Sequence, residues 1–273
     1  MQGRRNNDFF KAVGRHFVTL SYCYTPPGKS RDEELCDVVS GFLIEVNDVW
    51  FYVTAGHILD TIKKGLRAGG TFDAWRLDDQ TAGNNFRGAA VPYDFNIEHW
   101  IVLRDDALGI DYAAVVLEGL IRKNLEVGGA KAISKSAWGL PPNVTNYDQC
   151  ILVGIPKETV AHHSSTIITA RISMIPIEPT SPPASAGQTV ENMFFGVLNF
   201  ASTDSGTRPT DIAGMSGGPI FATQKFDESL KYWIVGVQSG WYPSIATVSA
   251  CPFSSFGLVL EDLFEKNEFA PSS

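Results

Sequence analysis

Long apolar runs are missing from this sequence, and cysteine is scarce. No stretch of the 273 residues is both long and apolar enough to span a bilayer. The cysteines Cys23, Cys36, Cys150 and Cys251 lack the close spacing of metal-binding motifs. We therefore expect free thiols rather than a disulfide framework, no metal ion or cofactor, and no membrane as a partner.

Positive charge is also in short supply. Lysine and arginine together number 22 against 30 aspartates and glutamates, which gives a formal net charge of -8. An acidic chain without clustered basic residues repels phosphate backbones, so nucleic acid is a poor candidate for the partner. Arg4 and Arg5 are not followed by an apolar segment of the kind that secretory signals contain. We expect a cytoplasmic protein, unless the sequence is a mature form without its leader.

Short apolar segments rich in aromatic and β-branched residues make up most of the chain. Many such segments, separated by turn residues and without long alternating helices, favour a sandwich or barrel over an α/β fold. Asn47-Asp48 predicts a tight turn between two strands. Helices are predicted only near the ends, a short one at Asp8 to Gly14 and a second at Leu258 to Glu268.

The predicted strands form two sets of about six. Residues 36–121 hold the first set and residues 148–257 the second, and the segment 122–147 bridges them. Residues 1–35 supply the first helix and first strand, whereas residues 258–273 supply the last helix and a tail. We expect one compact unit overall.

Two segments of the first set place a titratable side chain beside an apolar strand. His57 follows the strand Tyr52-Val53-Thr54 and two small residues, which suits an imidazole at the mouth of a cleft. A histidine that merely caps a strand end fits the same pattern. Asp111 opens an apolar strand, where a carboxylate is costly to bury unless a donor such as a histidine Nδ1–H satisfies it. An aspartate in an ordinary turn is the competing interpretation.

The third segment surrounds a serine with glycines, in Gly214-Met215-Ser216-Gly217-Gly218-Pro219. Glycine permits a tight backbone that exposes the hydroxyl and turns neighbouring N–H groups to one side. The N–H groups of Gly214 and Ser216 could then bind the oxyanion of a tetrahedral intermediate. A linker has the same composition, but a strand follows directly here, which argues against it.

These three segments together resemble the chymotrypsin/trypsin-like serine peptidases, most closely their bacterial, disulfide-free HtrA-like members. Thr54-Ala55-Gly56-His57 is similar to the family's Thr-Ala-Ala-His, and the Ser216 segment to its Gly-Asp/Asn-Ser-Gly-Gly-Pro. The order histidine, aspartate, serine along the chain matches as well. The resemblance covers residues 36–260. The ten residues after Leu263 are too few for the PDZ domain that HtrA-like enzymes carry.

The resemblance implies an all-β fold of two six-stranded antiparallel β-barrels, with a short N-terminal helix and a C-terminal helix. It also implies a serine endopeptidase that acts on a protein or peptide substrate, with the triad in the cleft between the barrels. His57 would be the general base, Asp111 would orient it, and Ser216 would be the nucleophile. The substrate pocket would lie near Thr210, Asp211, Gln238, Ser239 and Gly240.

Met215 departs from the digestive members of the family, which carry an aspartate before the nucleophile. Activation by insertion of a new N-terminus is therefore not expected, and an activating protein partner is one substitute for it. A latent or inactive protein of the same fold, acting as a peptide-binding or signalling module, is the alternative function. Asp211 could favour a basic side chain at the cleavage site, or it could point away.

Overall fold

We describe a computed structural model of the chain, which covers residues 9–10, 12–79, 90–139, 147–164, 167–202, 210–226 and 229–266. The predicted all-β fold is confirmed, with two β units and few helices. The N-terminal helix predicted near Asp8 is observed at residues 9–10 and 12–13 (α1), and Asp8 lies outside the described residues. No helix within the described residues is long and apolar enough to cross a membrane.

The first unit is an antiparallel sheet with seven described strands, one more than predicted. Its order is β5-β4-β1-β2-β3-β7-β6. The turn predicted at Asn47-Asp48 joins β2 to β3, and both residues have positive φ, as a tight hairpin turn requires. The strands are β1 Phe17–Thr25, β2 Leu35–Val46, β3 Val49–Thr54, β4 Thr71–Asp79, β5 Ala90–Pro92, β6 Ile101–Asp105 and β7 Ile110–Val116.

The second unit is a closed antiparallel barrel of six described strands, as predicted. Its order is β11-β12-β15-β14-β13-β8, and a separate hairpin, β9–β10, precedes β11. Its last strand, β15, was not predicted from the sequence. The strands are β8 Gln149–Gly154, β9 Ala161–Ser164, β10 Ile167–Thr169, β11 Ser173–Pro179, β12 Phe194–Leu198, β13 Pro219–Phe226, β14 Ser229–Tyr242 and β15 Thr247–Pro252.

Four further helices pack around the two units: α2 Gly56–Arg67, α3 Gly119–Gly128, α4 Lys135–Trp138 and α5 Phe253–Glu265. The C-terminal helix therefore begins five residues earlier than Leu258. The helix α2 was not predicted, although Ile58, Leu59, Ile62 and Leu66 recur at the spacing of one helix face. The segment 122–147, predicted as a bridge, contains most of α3 and all of α4.

One apolar cluster joins the two units. It includes Phe42 and Phe51 of the first sheet, Val153 and Phe221 of the barrel, and Phe253 of α5. The rings of Phe42 and Phe253 meet edge to face, with centroids 5.4 Å apart. Because burial of apolar surface is the main force holding folded chains together, this shared core fixes how the sheet and the barrel face each other.

Candidate active site

His57 and Asp111 are in direct contact, as the sequence pattern predicted. His57 lies in the first turn of α2, just after β3, and Asp111 lies on β7. His57 Nδ1 is 2.6 Å from Asp111 Oδ2, and the backbone N–H of His57 donates to Asp111 Oδ1 over 2.7 Å. The carboxylate is thus satisfied by two donors from one residue, which explains how it can be buried.

This contact determines which nitrogen of His57 is available for chemistry. A carboxylate only accepts hydrogen bonds, so Nδ1 carries the proton that faces Asp111. Nε2 is then the basic nitrogen of the neutral ring. The His57 side chain is 34% exposed, against 11% for Asp111, so the imidazole reaches the cleft while its carboxylate partner stays covered.

Ser216 lies on the loop that leads into β13, and this loop is held by the neighbouring strand. Gly217 N–H donates to Gln238 O, and Gln238 N–H donates to Gly218 O, both over 2.9 Å. Gly217 has φ +85°, and a Cβ there would lie 2.1 Å from Thr54 Oγ1 and 2.6 Å from Ser40 O. Only glycine therefore allows the serine loop to pack against the end of β3, which leads to His57.

Met215, the residue before Ser216, is fully buried in the barrel core. Its side chain packs against Gly154 so closely that a Cβ on that glycine would lie 2.9 Å from Met215 Cβ and Cε. Apolar packing therefore anchors the serine loop at the position where digestive peptidases have a charged residue. This contact needs no charge and no newly formed N-terminus.

Among the described residues, two backbone N–H groups around Ser216 have no acceptor. Lys157 N–H donates to Ala213 O over 2.7 Å, and Gly218 N–H donates to Met215 O over 2.9 Å. In a trans peptide the C=O and the following N–H point in opposite directions. The N–H groups of Gly214 and Ser216 are thereby turned away from these bonds, and among the residues described neither N–H has a hydrogen-bond acceptor.

Ser40 of the first sheet holds the serine loop through hydrogen bonds. Its buried hydroxyl donates to Gly214 O over 3.1 Å and accepts the Ile155 N–H over 3.0 Å. Neither Ser40 nor Lys157 was identified from the sequence. Both form hydrogen bonds with backbone atoms more than fifty residues away in the sequence, so no local motif predicts these contacts.

A cleft of about 420 Å³ brings these groups together. His57 and Asp111 line it from the first unit, and Ser216, Gln238, Ser239 and Gly240 line it from the second. Ser216 Oγ makes no hydrogen bond to any residue within the described part of the chain. The walls of the cleft also include Trp241, and residues that the sequence did not indicate, namely Arg104, Asp106, Met193, Tyr242 and Ser249.

Thr210 and Asp211 are not among the residues that line this cleft. Thr210 is exposed and bonds to Glu158 through both its N–H and its hydroxyl. Asp211 is exposed, and its Oδ1 accepts the N–H groups of Ile212 and Ala213. Its carboxylate is thus engaged within its own loop. A role for Thr210 and Asp211 in substrate binding stays a prediction.

The cysteines do not compete with Ser216 as nucleophiles in the cleft. Burial raises the pKa of Cys150 and of Cys251 to about 11, so both thiols are protonated near neutral pH. Cys251 Sγ donates to Gly109 O over 3.0 Å behind the cleft. The ligand-type side chains that do cluster, Cys23, Glu34 and Cys36, lie outside the cleft lining.

No protein-family model matches the sequence, and no curated protein matches it. Among solved structures, the chain is similar to a thermostable serine protease, AL20, from an extremophilic microorganism, with 15% identity and a TM-score of 0.45 over 94% of this chain and 99% of that one. It is similar to the protease Anisep from Arthrobacter nicotinovorans, with 14% identity and a TM-score of 0.43 over 88% and 90% of the two chains. Catalytically active tobacco etch virus protease, complexed with product, matches with 12% identity and a TM-score of 0.43 over 93% of this chain and 80% of that one.

Proposed function

We propose that this protein is a serine endopeptidase that hydrolyses peptide bonds through an acyl-enzyme on Ser216. The observation that carries the proposal is the pairing of His57 with Asp111 in a cleft that also contains Ser216. A carboxylate, an imidazole and a hydroxyl in one cleft are the groups that acyl transfer to serine requires.

In the proposed reaction, Ser216 Oγ attacks the carbonyl carbon of the substrate while His57 Nε2 takes the hydroxyl proton. Asp111 holds the imidazole in the required tautomer and stabilises the imidazolium that forms. The N–H groups of Gly214 and Ser216 receive the negative oxygen of the tetrahedral intermediate. His57 then donates its proton to the leaving amine, and water repeats the sequence to release the acid.

We propose a preference for a side chain that donates a hydrogen bond on the substrate residue before the cleaved bond. Gln238 is buried, its Oε1 has no partner among the residues described, and it lines the cleft beside Gly240 and the buried Ser249. An acceptor that is left open and buried gains most from a ligand that donates a hydrogen bond. A panel of peptides varied at this position tests the preference, and cleavage only after residues whose side chains lack a hydrogen-bond donor would contradict it.

A latent or inactive protein that binds peptides without cleaving them remains the second candidate. It is favoured by one observation, the absence of a hydrogen bond from Ser216 Oγ to any described residue. Such bonds are often long before substrate binds, so this geometry also suits an active enzyme. The endopeptidase proposal also includes activation by a protein partner and a cytoplasmic location. Both of these rest on the sequence alone.

Labelling with a fluorophosphonate probe, followed by intact-mass measurement, tests the function directly. We expect one adduct on the wild-type chain, mapped to Ser216, and none on Ser216→Ala or His57→Ala. Ser255→Ala is the matched control, because this exposed serine of α5 lies outside the cleft and its loss should leave labelling unchanged. A folded wild-type protein without an adduct would favour the latent peptide-binding function.

A further inference from the structure

Two cysteines face each other at one end of the first sheet. Cys23 of β1 and Cys36 of β2 are directly paired in register, and their Sγ atoms are 2.8 Å apart. The Glu34 carboxylate completes a group in which one ligand atom from each residue lies within 4.8 Å of the others. Cys23 is buried, whereas Cys36 and Glu34 are partly exposed, so an ion from solvent can reach the group.

An imidazole reaches this group from the other unit. His162 lies on β9, in the hairpin that precedes β11, and its Nε2 is 3.1 Å from Cys36 Sγ. Residues 36 and 162 are far apart in the sequence. The sequence around His162 does not form a metal-binding motif. The fold supplies the missing ligands.

We propose that Cys23, Cys36, Glu34 and His162 bind one Zn²⁺ ion that fastens the β9–β10 hairpin to the first sheet. Two sulfurs, one nitrogen and one oxygen form a donor set that zinc accepts in tetrahedral sites. With Zn–S bonds of about 2.3 Å, tetrahedral ligands lie roughly 3.3–3.8 Å from one another. The sulfurs must therefore move apart by about 1 Å, a change that side-chain rotation can supply.

The composition of the group favours a cation over a disulfide. A disulfide would use the two sulfurs alone and would leave the imidazole and the carboxylate without a role. On binding, Zn²⁺ displaces the two thiol protons, and one ion then engages both sulfurs, the imidazole and the carboxylate together.

The proposed site is independent of the proposed peptidase activity, because none of its four ligands lines the cleft. Its expected effect is on stability. An ion that binds only the folded chain raises the free energy of unfolding in proportion to the logarithm of its concentration over Kd. The melting temperature of the full chain should therefore rise with added Zn²⁺ and fall when a chelator removes it.

The test uses the full-length chain, purified with reduced thiols, stripped of metal and then titrated with Zn²⁺ alone. We expect one zinc per chain by elemental analysis, and with Co²⁺ in its place the near-ultraviolet charge-transfer bands of cobalt–thiolate bonds. Cys36→Ala should abolish both signals, and His162→Ala should weaken binding by at least about 10-fold, the loss seen when only an outer-shell partner is removed. Cys150→Ala and His99→Ala, which alter residues of the same type elsewhere, should retain one zinc per chain.

Two results would overturn the proposal. One is a folded, reduced wild-type chain that binds no Zn²⁺, or that binds it equally well after Cys36→Ala. The other is a Cys23–Cys36 disulfide, found by mass after exposure to a small-molecule disulfide, in a protein whose reduced form shows no cobalt–thiolate bands. In that reaction two thiols would lose two protons and two electrons to the oxidant, and the pair would be a redox site instead.

Discussion

The two units hold their parts of the cleft by different means. In the first sheet, hydrogen bonds from one residue, His57, engage both oxygens of the Asp111 carboxylate. In the barrel, the serine loop is anchored by Met215, whose side chain is fully buried among apolar neighbours. The base is thus fixed by polar contacts that depend on charge, and the nucleophile by packing that does not.

Because of this difference, substitutions in the two units should have different effects, on activity in one and on stability in the other. A change in the polar pair should alter chemistry while leaving the fold intact, because it affects a few hydrogen bonds at a cleft. A change in the packed anchor should alter stability first, because a cavity in the core destabilises the whole barrel. The predictions below test this separation, from the largest expected effect to the smallest.

Replacing the carboxylate should have the largest effect. In Asp111→Asn the amide can no longer accept two hydrogen bonds with a full negative charge, and it favours the wrong tautomer of His57. We expect the rate of peptide hydrolysis to fall by about 10⁴-fold, the scale known for such triads. The melting temperature should change little. Asp94→Asn, an exposed carboxylate in the same unit, is the control, and equal rates for the two variants would contradict the assignment.

Removing the packed anchor should act mainly on stability. Met215→Ala leaves a cavity beside Gly154, and we expect the free energy of unfolding in urea to fall by about 2–5 kcal/mol. Met215→Leu conserves the volume and should cost less than about 1.5 kcal/mol. If the alanine variant were as stable as the leucine variant, packing would not be what anchors the loop.

Polar contacts away from the cleft should make the free energy of unfolding depend on pH, and His16 is the residue at which we expect this. Its ring joins Lys131 O and the Tyr232 hydroxyl at 2.6 and 2.7 Å, and burial lowers the pKa of His16 from 6.5 to about 4. Below pH 6.5 the unfolded chain takes up this proton more readily than the folded chain does, so stability falls as pH decreases from 6.5 towards 4. The loss attributable to this residue is about 3 kcal/mol.

The matched variant for this effect is His16→Gln, which keeps a polar side chain but does not titrate. Urea unfolding at several pH values between 4 and 7 should show a shallower pH dependence in the variant than in the wild type. Identical slopes would mean that other groups govern acid stability.

The smallest effect is expected at Ser40, which crosses from one unit to the other. Ser40→Ala removes the donor to Gly214 O and leaves the Ile155 N–H without its acceptor, at a cost of about 1–3 kcal/mol. Fluorophosphonate labelling should also slow, because the Gly214 peptide loses a support. Ser173→Ala is the control, since Ser173 is equally buried and its hydroxyl has no partner among the described residues. Equal losses in both variants would show that Ser40 acts only by filling space.

Local pattern predicted what depends on local pattern. The Asn47-Asp48 turn and most of the strands follow from short segments, each with its own composition. The contact between His57 and Asp111 joins residues 54 positions apart, and it was implied by the resemblance to a peptidase family. The seventh strand of the first sheet, β5, was not predicted, because an element of three residues leaves little periodic signal. The helix α2 was also not predicted, although its apolar residues have helical spacing. The direction in which a side chain points was also not predictable from the sequence. Asp211 lies near Ser216 along the chain, yet its carboxylate bonds to its own loop.

The other contacts that the sequence did not predict join residues far apart along the chain. Ser40 reaches Gly214, and Cys36 meets His162, only after the sheet and the barrel have packed together. Neither pair shares a motif, and each joins residues more than a hundred positions apart. A single sequence carries no local trace of such encounters, so structure was needed to find them.

Ser216 follows His57 and Asp111 along the chain, and this order has a consequence during translation. During synthesis the first sheet, with His57 and Asp111, leaves the ribosome well before the serine loop is made. The loop in turn needs Ser40 and the end of β3 already in place to receive it. The proposed peptidase therefore cannot assemble its site, or cleave its own growing chain, until translation has passed Ser216.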